Sequence, residues 1–519
     1  MNPTPTPALQ PADLAWMLVS IALVMLMIPG LCLFYAGMVR AKNVLATMMQ
    51  AMSALAVVGT LWITLGYALA FGDDVGGLGV LGFSPTFIAL HGVTPAELWP
   101  GSGVPIWVHA TFQGLFAVIT PALVAGALAE RLRFSAWCLW MAAWSLLVYA
   151  PLAHMVWHPE GWLFRLGALD FAGGTVVHVA AGVSALVAAK LVRQRHGWPE
   201  RPIHPSGAAH TLLGAGLLWV GWFGFNGGSA LAATASAGLA VTVTHVAACA
   251  GAAGWVGLEW RKSGKPTAIG FASGAVAGLV GITPAAGYVG PASAIVIGLC
   301  AAAACYAFVT RKARLGLDDA LDAFGVHGVG GAVGALLTGV FADARLYGGA
   351  GGALLDGNVG QLGIQALSVV ATVAFAGPLT ALLVFAIGRD RLAVDPRTEE
   401  QGLDGALHGE RAFDFAEDAV TALDIAPRPA TRPPVGAALT LTISGFGPGE
   451  LSRRWAAACA RAPADAAMTE LLHCVTRVRE GEMRLCAVDA AWAVASVEAA
   501  MPGCVASISS ISKSQEAQS

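Results

Sequence analysis

Long apolar stretches separated by short polar ones fill the first three quarters of the chain. A bilayer-spanning helix needs about 20 mostly apolar residues. Eleven segments meet that length: 12–38, 44–71, 105–129, 136–157, 171–192, 207–229, 238–259, 267–287, 291–310, 320–341 and 361–388. Many carry Gly, Ser and Thr at the spacings that let membrane helices pack closely. The pattern predicts an all-α membrane protein. The loops between segments alternate in charge. One set holds Arg40, Lys42, Arg131, Arg133, Lys190, Arg193, Arg195, Arg201, Arg261, Lys262, Lys265, Arg311, Lys312 and Arg314; the other holds only Arg165 and Arg345. Basic loops stay cytoplasmic, so the N-terminus is expected outside and the tail from Arg389 inside the cell membrane.

Composition agrees and adds a boundary. Of the 519 residues 56% are hydrophobic and 12% charged, against about 25% charged in a soluble domain. Asp, Glu, Lys and Arg number 30 in residues 1–388 and 31 in 389–519, so the last quarter reads as soluble. The net charge of −3 and the lack of a basic run give nucleic acid no foothold. The nine cysteines are scattered, with no disulfide framework, zinc spacing or other metal site, and nothing calls for a cofactor. MNPTPTPALQPADLAW lacks the basic start of a cleaved signal, so the first run is expected to be a retained helix.

Eleven helices divide into five, five and one. An odd number per half inverts the second half relative to the first, as in transporters whose site lies at the repeat interface. The fifth segment reads ALDFAGGTVVHVAAG and the tenth ALDAFGVHGVGGAVG. Each opens on an Asp, Asp170 and Asp322, and carries a central His, His178 and His327. Ionisable residues at membrane depth are functional candidates. Other histidines near spans (His109, His154, His210 and His245) fit packing roles as readily, and Asp170 also fits a helix N-cap.

The strings FYAGMVRAKN (34–43), FQGLFA (112–117), GALAERLRF (126–134), AHMVW (153–157), DFAGGTVVH (170–178), GWFGFNGGS (221–229), GITPAAGYVG (281–290) and FGVHGVGG (324–331) occur in that order. Together they resemble the bacterial branch of the ammonium transporter family, over about residues 10–415. The tail string EEQGLDGALHGERAF (399–413) extends the likeness. The resemblance implies a homotrimer with one pore per subunit, carrying ammonium and, as an open extension, methylammonium. It implies an outer recruitment site at Phe116, Trp157 and Ser229, and a gate of stacked phenyl rings at Phe116 and Phe225. It implies pore histidines His178 and His327, with Asp170, Trp222, Asn226, Thr283 and Asp322 in support. It also implies a PII-type signal protein at the cytoplasmic face. Without the resemblance, Trp157 would be an interfacial belt residue and FQGLF core packing.

The chemistry suits those residue types. An aromatic face attracts a cation by about 0.5–2 kcal/mol, but potassium gains as much as ammonium. Ammonium differs in its four N–H donors and its removable proton. A bare charge at the bilayer centre costs from about 2.5 to well over 10 kcal/mol, and desolvation lowers an amine's pKa. A dry pore therefore favours passage as ammonia, for which neutral imidazoles offer both a donor and an acceptor. Whether the proton follows by a separate route is open. A sensor signalling through the C-terminal domain and an electroneutral gas channel of the related Rhesus type are the alternatives; no nucleophile–base set marks an enzyme.

Beyond the transporter domain (1–388) the sequence divides into a regulatory tail (389–426), a Pro-rich linker (427–435), a small cytoplasmic α/β domain (436–508) and a disordered end (509–519). In the α/β domain AALTLTIS, EMRLCAVD and CVASISSI predict strands, with helices over 448–475 and AAWAVASVEAAM, a pattern that suits a ferredoxin-like arrangement.

Overall fold

The computed structural model describes residues 8–200, 203–348, 352–413 and, beyond them, 437–444, 475–479, 482–486 and 505–513, with single residues at 455 and 497. The chain divides into two units, Met1–Phe413 and Asp414–Ser519.

In the first unit eleven helices are long and apolar enough to cross a membrane: α1 (Pro11–Ala36), α2 (Ala41–Phe71), α3 (Ile106–Leu128), α4 (Phe134–Arg165), α5 (Gly174–Leu191), α6 (Ala208–Gly228), α7 (Ala235–Ser263), α8 (Ala268–Ala285), α9 (Pro291–Val309), α10 (Phe324–Phe341) and α11 (Val359–Ile387). Each falls on one of the eleven apolar segments. The largest difference is α4, which runs on to Arg165. α3 is the most enclosed, with 89% of its apolar window buried, whereas α9 and α11 are one-third buried and form the flanks.

α5 and α10 meet at the centre. Both begin with a wide π-helical turn, Gly174–Val179 and Phe324–Gly328, and each turn carries a histidine. Such turns are rare and recur at functional sites. The backbones touch where Gly182 faces Gly328: a Cβ on Gly182 would lie 2.2 Å from the Gly328 nitrogen. Only glycine permits that approach.

The second unit contains β1 (Ala437–Ser444), β2 (Val475–Arg479), β3 (Glu482–Cys486) and β4 (Val505–Lys513), ordered β2-β3-β1-β4 with every neighbour antiparallel. Split β-α-β folds of the ferredoxin-like type use this strand order. β2 was absent from the sequence reading. β4 reaches Lys513, past the expected boundary at 508: a bulge at Ser509 shifts the register, so that Ile508 pairs with Leu441 and Ile511 with Leu439, and the pairing with β1 runs on. The predicted helices over 448–475 and 490–501, the linker, 414–426 and 514–519 lie outside the described residues, apart from isolated positions.

Candidate functional site

Three layers follow one another along a path lined by α1, α2, α3, α4, α5, α6, α8 and α10. The first is a vestibule of about 250 Å³, lined by Phe116, Trp157, Asp170 and Ser229 together with Trp99, His109 and Gln113. Ser229 donates its hydroxyl hydrogen to the Phe225 carbonyl at 2.8 Å. Its lone pairs remain free to accept. Trp157 donates its indole N–H to the Asp170 carbonyl at 3.0 Å, and its ring meets Phe116 edge-on at 5.9 Å.

The second layer is a seal. Phe116 and Phe225 stack with centroids 4.0 Å apart and planes 18° from parallel, and both rings are buried. The third is a passage with room for about 10 Å³, roughly one water-sized molecule, lined by Leu31, Ile119, Val177, Leu218, Val276 and the two histidines. There His178 Nδ1 and His327 Nδ1 lie 3.3 Å apart, one donating and the other accepting, with ring planes inclined by 20°. Trp222 stacks on His178 at 5.5 Å and donates to the Thr283 hydroxyl at 2.9 Å. Asn226 donates to the Thr244 hydroxyl at 2.8 Å. Trp222 thus lines the passage with Thr283 holding its indole from behind, while the Asn226 bond ties α6 to α7.

The carboxylates show what the sequence reading missed. Asp170 accepts backbone N–H groups from Gly173 (2.8 Å), Gly174 (2.6 Å), Thr175 (2.8 Å) and Val176 (3.3 Å), plus the Thr175 hydroxyl. Its counterpart in the second half is Asp319, which accepts from Ala323 (2.9 Å), Phe324 (2.9 Å) and Gly325 (3.2 Å). Asp322, expected in that role, does another job. It stands at φ 61°, as Gly173 stands at φ 105°, and it ion-pairs with Lys312 at 2.5 Å. Asp tolerates the left-handed region better than most residues. The signal was legible: each capping Asp precedes its histidine by eight positions, and each left-handed residue by five.

On the opposite face, rich in arginine, the loops knot together around buried charges. Asp318 pairs with Arg131 at 2.8 Å and Arg195 at 2.6 Å. Glu130 pairs with Arg40 at 2.8 Å and Arg195 at 3.1 Å, and accepts from Asn43 at 2.9 Å. Burial opposes ionisation of both carboxylates, yet the surrounding guanidinium groups hold them below the ordinary range. The tail joins this knot. Glu399 pairs with Arg193 at 2.7 Å and accepts the His196 N–H at 2.7 Å. Asp404 accepts the N–H groups of Leu45 (3.1 Å) and Ala46 (2.8 Å) in the first turns of α2. His408 packs edge-on against Phe134 at 5.2 Å. Among the described residues no cluster of His, Cys, Asp and Glu could hold a metal ion.

Comparison with known proteins matches this architecture. The family described as Ammonium Transporter Family matches residues 15–413. An ammonium transporter of Aquifex aeolicus is 45% identical over 412 residues, covering 78% of this chain and 94% of that protein. The crystal structure of Saccharomyces cerevisiae Mep2 is 37% identical at a TM-score of 0.68, covering 73% of this chain and 88% of that one. A structure described as a sensor Amt protein is 29% identical at a TM-score of 0.69, covering 76% and 98%.

Proposed function

The chain belongs to the ammonium transporter family and is a multi-pass ammonium transporter, and from that premise we propose that selection rests on stripping the substrate of its charge. In this reading the vestibule faces outward and the arginine-rich face lies in the cytoplasm, which the distribution of basic loops supports. Ammonium, and methylammonium with one donor fewer, settles against the Phe116 and Trp157 rings and gives an N–H to Ser229. Entry past Phe116 and Phe225 removes its water. The proton passes there to water on the vestibule side, because the charged form loses hydration that an apolar wall cannot replace. Ammonia passes the imidazole pair as a neutral molecule, whereas potassium has no neutral form.

The observation that carries this reading is the His178–His327 pair in an apolar passage wide enough for one small molecule, directly beneath a closed phenyl stack. The subunit acts as a homotrimer, and a PII-type protein docks on the cytoplasmic face, as the family likeness implies. Current through a solid-supported membrane after an ammonium pulse tests the mechanism. An ammonium-dependent current that vanishes in His178→Ala, with the variant folded, supports a proton moving alongside ammonia. Rapid ammonia flux without current from the wild type indicates electroneutral gas conduction. A potassium current equal to that of ammonium in the wild type ends the charge-stripping account.

A sensor role is the second reading. The antiparallel sheet after residue 436 and the structural likeness to a sensor Amt protein favour it. Uptake and nitrogen-responsive signalling measured with and without residues 435–519 separate the two. Intact uptake with lost signalling supports the sensor; loss of neither assigns the sheet no signalling role.

A further inference from the structure

α3 places His109, Gln113 and Phe116 on one stripe, at positions i, i+4 and i+7, and all three line the vestibule. In FQGLFA, Gln113 stands between Phe112 and Phe116. The Gln113 Oε1 atom is buried and has no hydrogen-bond partner. A buried carbonyl normally finds a donor, so an orphan beside a cavity points to a ligand that supplies one.

The neighbouring polar groups narrow what that ligand is. The Trp157 N–H is committed to the Asp170 carbonyl. The Asp170 carboxylate is already filled by N–H and O–H donors from residues 173–176. His109 shares Nδ1 with the Tyr67 hydroxyl at 3.0 Å. His109 and Tyr288 also line the cavity. Two side-chain acceptors then stand open towards Phe116 and Trp157: the Ser229 oxygen, whose hydrogen is spent on Phe225, and Gln113 Oε1, which has no partner. Both are neutral acceptors in a site walled by aromatic faces, which suits a small cation carrying several N–H groups.

We propose that Gln113 is a second recruiting residue, its side-chain carbonyl accepting an N–H of ammonium while Ser229 accepts another and the Phe116 and Trp157 rings take up the charge. This rests on the reading of the vestibule as the recruitment site. A neutral amide serves better than a carboxylate here, because it holds the ion without trapping it before the phenyl stack.

Purified protein in liposomes tests it, with half-saturating ammonium read from transport currents for the wild type, Gln113→Leu, Gln113→Met, Gln113→Glu, Ser229→Ala and Trp157→Leu. Gln113→Leu and Gln113→Met, which lack the acceptor, are expected to raise the half-saturating concentration about tenfold, the scale of one hydrogen bond to a charged group. Gln113→Glu keeps an acceptor and is expected to stay at or below the wild-type value. A structural role predicts that all three variants suffer alike, and that result overturns the proposal. So do Leu and Met variants within twofold of wild type when Ser229→Ala and Trp157→Leu are impaired. If none of the five variants shifts half-saturation, the recruitment reading of the vestibule fails as well.

Discussion

α5 and α10 start with the same device and meet different surroundings. In both, an Asp eight residues before the histidine accepts the N–H groups at positions +4, +5 and +6, a left-handed residue stands at +3, and a wide turn delivers the imidazole to the centre. Around Asp170 the neighbours are aromatic and the cavity is open. Around Asp319 they are ionic: Lys312 pairs with Asp322, and Asp318, next in the chain, is held by Arg131 and Arg195. The cap is thus a shared feature of the two halves, satisfying the free N–H groups at a helix start. What touches the cap differs: an aromatic-walled cavity at one end, and the ion pairs that hold the loops and tail at the other.

Removing each cap gives the largest expected effects and the sharpest contrast. Asp170→Ala strips four backbone donors of their acceptor beside the vestibule. We expect transport per folded protein to fall more than about a hundredfold, since each unmet buried donor costs roughly 1–3 kcal/mol, with weakened half-saturation as well. Asp319→Ala should lower maximal flux strongly but leave half-saturating ammonium near wild type. Equal damage to half-saturation in both variants would erase the distinction between the two ends.

The left-handed positions come next. Gly173→Ala places a Cβ at φ 105° and 2.6 Å from Val177 Cγ2, so a loss of about 1–3 kcal/mol is expected, read as a lower melting temperature. Asp322→Gly relieves its backbone and loses one partly exposed ion pair, so its melting temperature should move much less. A larger drop for Asp322→Gly than for Gly173→Ala would show that the Lys312 pair, not backbone geometry, sets that corner.

Glu399→Gln probes the tail. Its loss weakens the Arg193 pair, which is partly exposed on the arginine side, so an effect on the order of 1 kcal/mol is expected. Hydrogen exchange should quicken in 393–404 while half-saturating ammonium holds.

The smallest effect is that of pH on the knot. Asp318 and Glu130 have depressed folded pKa values, so their stabilisation is complete above the ordinary carboxylate pKa of about 4 and is lost as pH falls through the lower folded values. Protection of 393–404 should therefore be the same at pH 7.5 and pH 5 and fail only below about 4. Release by pH 5 would mean that the pairs do not hold the charge.

Much of this was readable along the chain. The eleven helices are visible as apolar runs, because a span must bury its backbone in lipid using its own residues. The residues of FQGLFA, AHMVW and GWFGFNGGS do converge on one vestibule and gate. Asp319 was missed although its eight-residue offset from His327 repeats that of Asp170 from His178; matching the opening letters ALD drew attention to Asp322 instead. β2 was missed because TRVR is too short and too charged to stand out as a strand.

What the chain determined alone is local: where helices cross, which residues are apolar, and which positions in the two halves repeat. Those follow from the bilayer and from backbone geometry, which act residue by residue. The pairing of His178 with His327, the meeting of Glu130, Arg195 and Asp318 from three loops, and the orphaned acceptor of Gln113 were decided only by the fold. Each depends on distances between segments up to 188 positions apart in the sequence, and a hydrogen bond or ion pair is set by ångströms in space rather than by order along the chain.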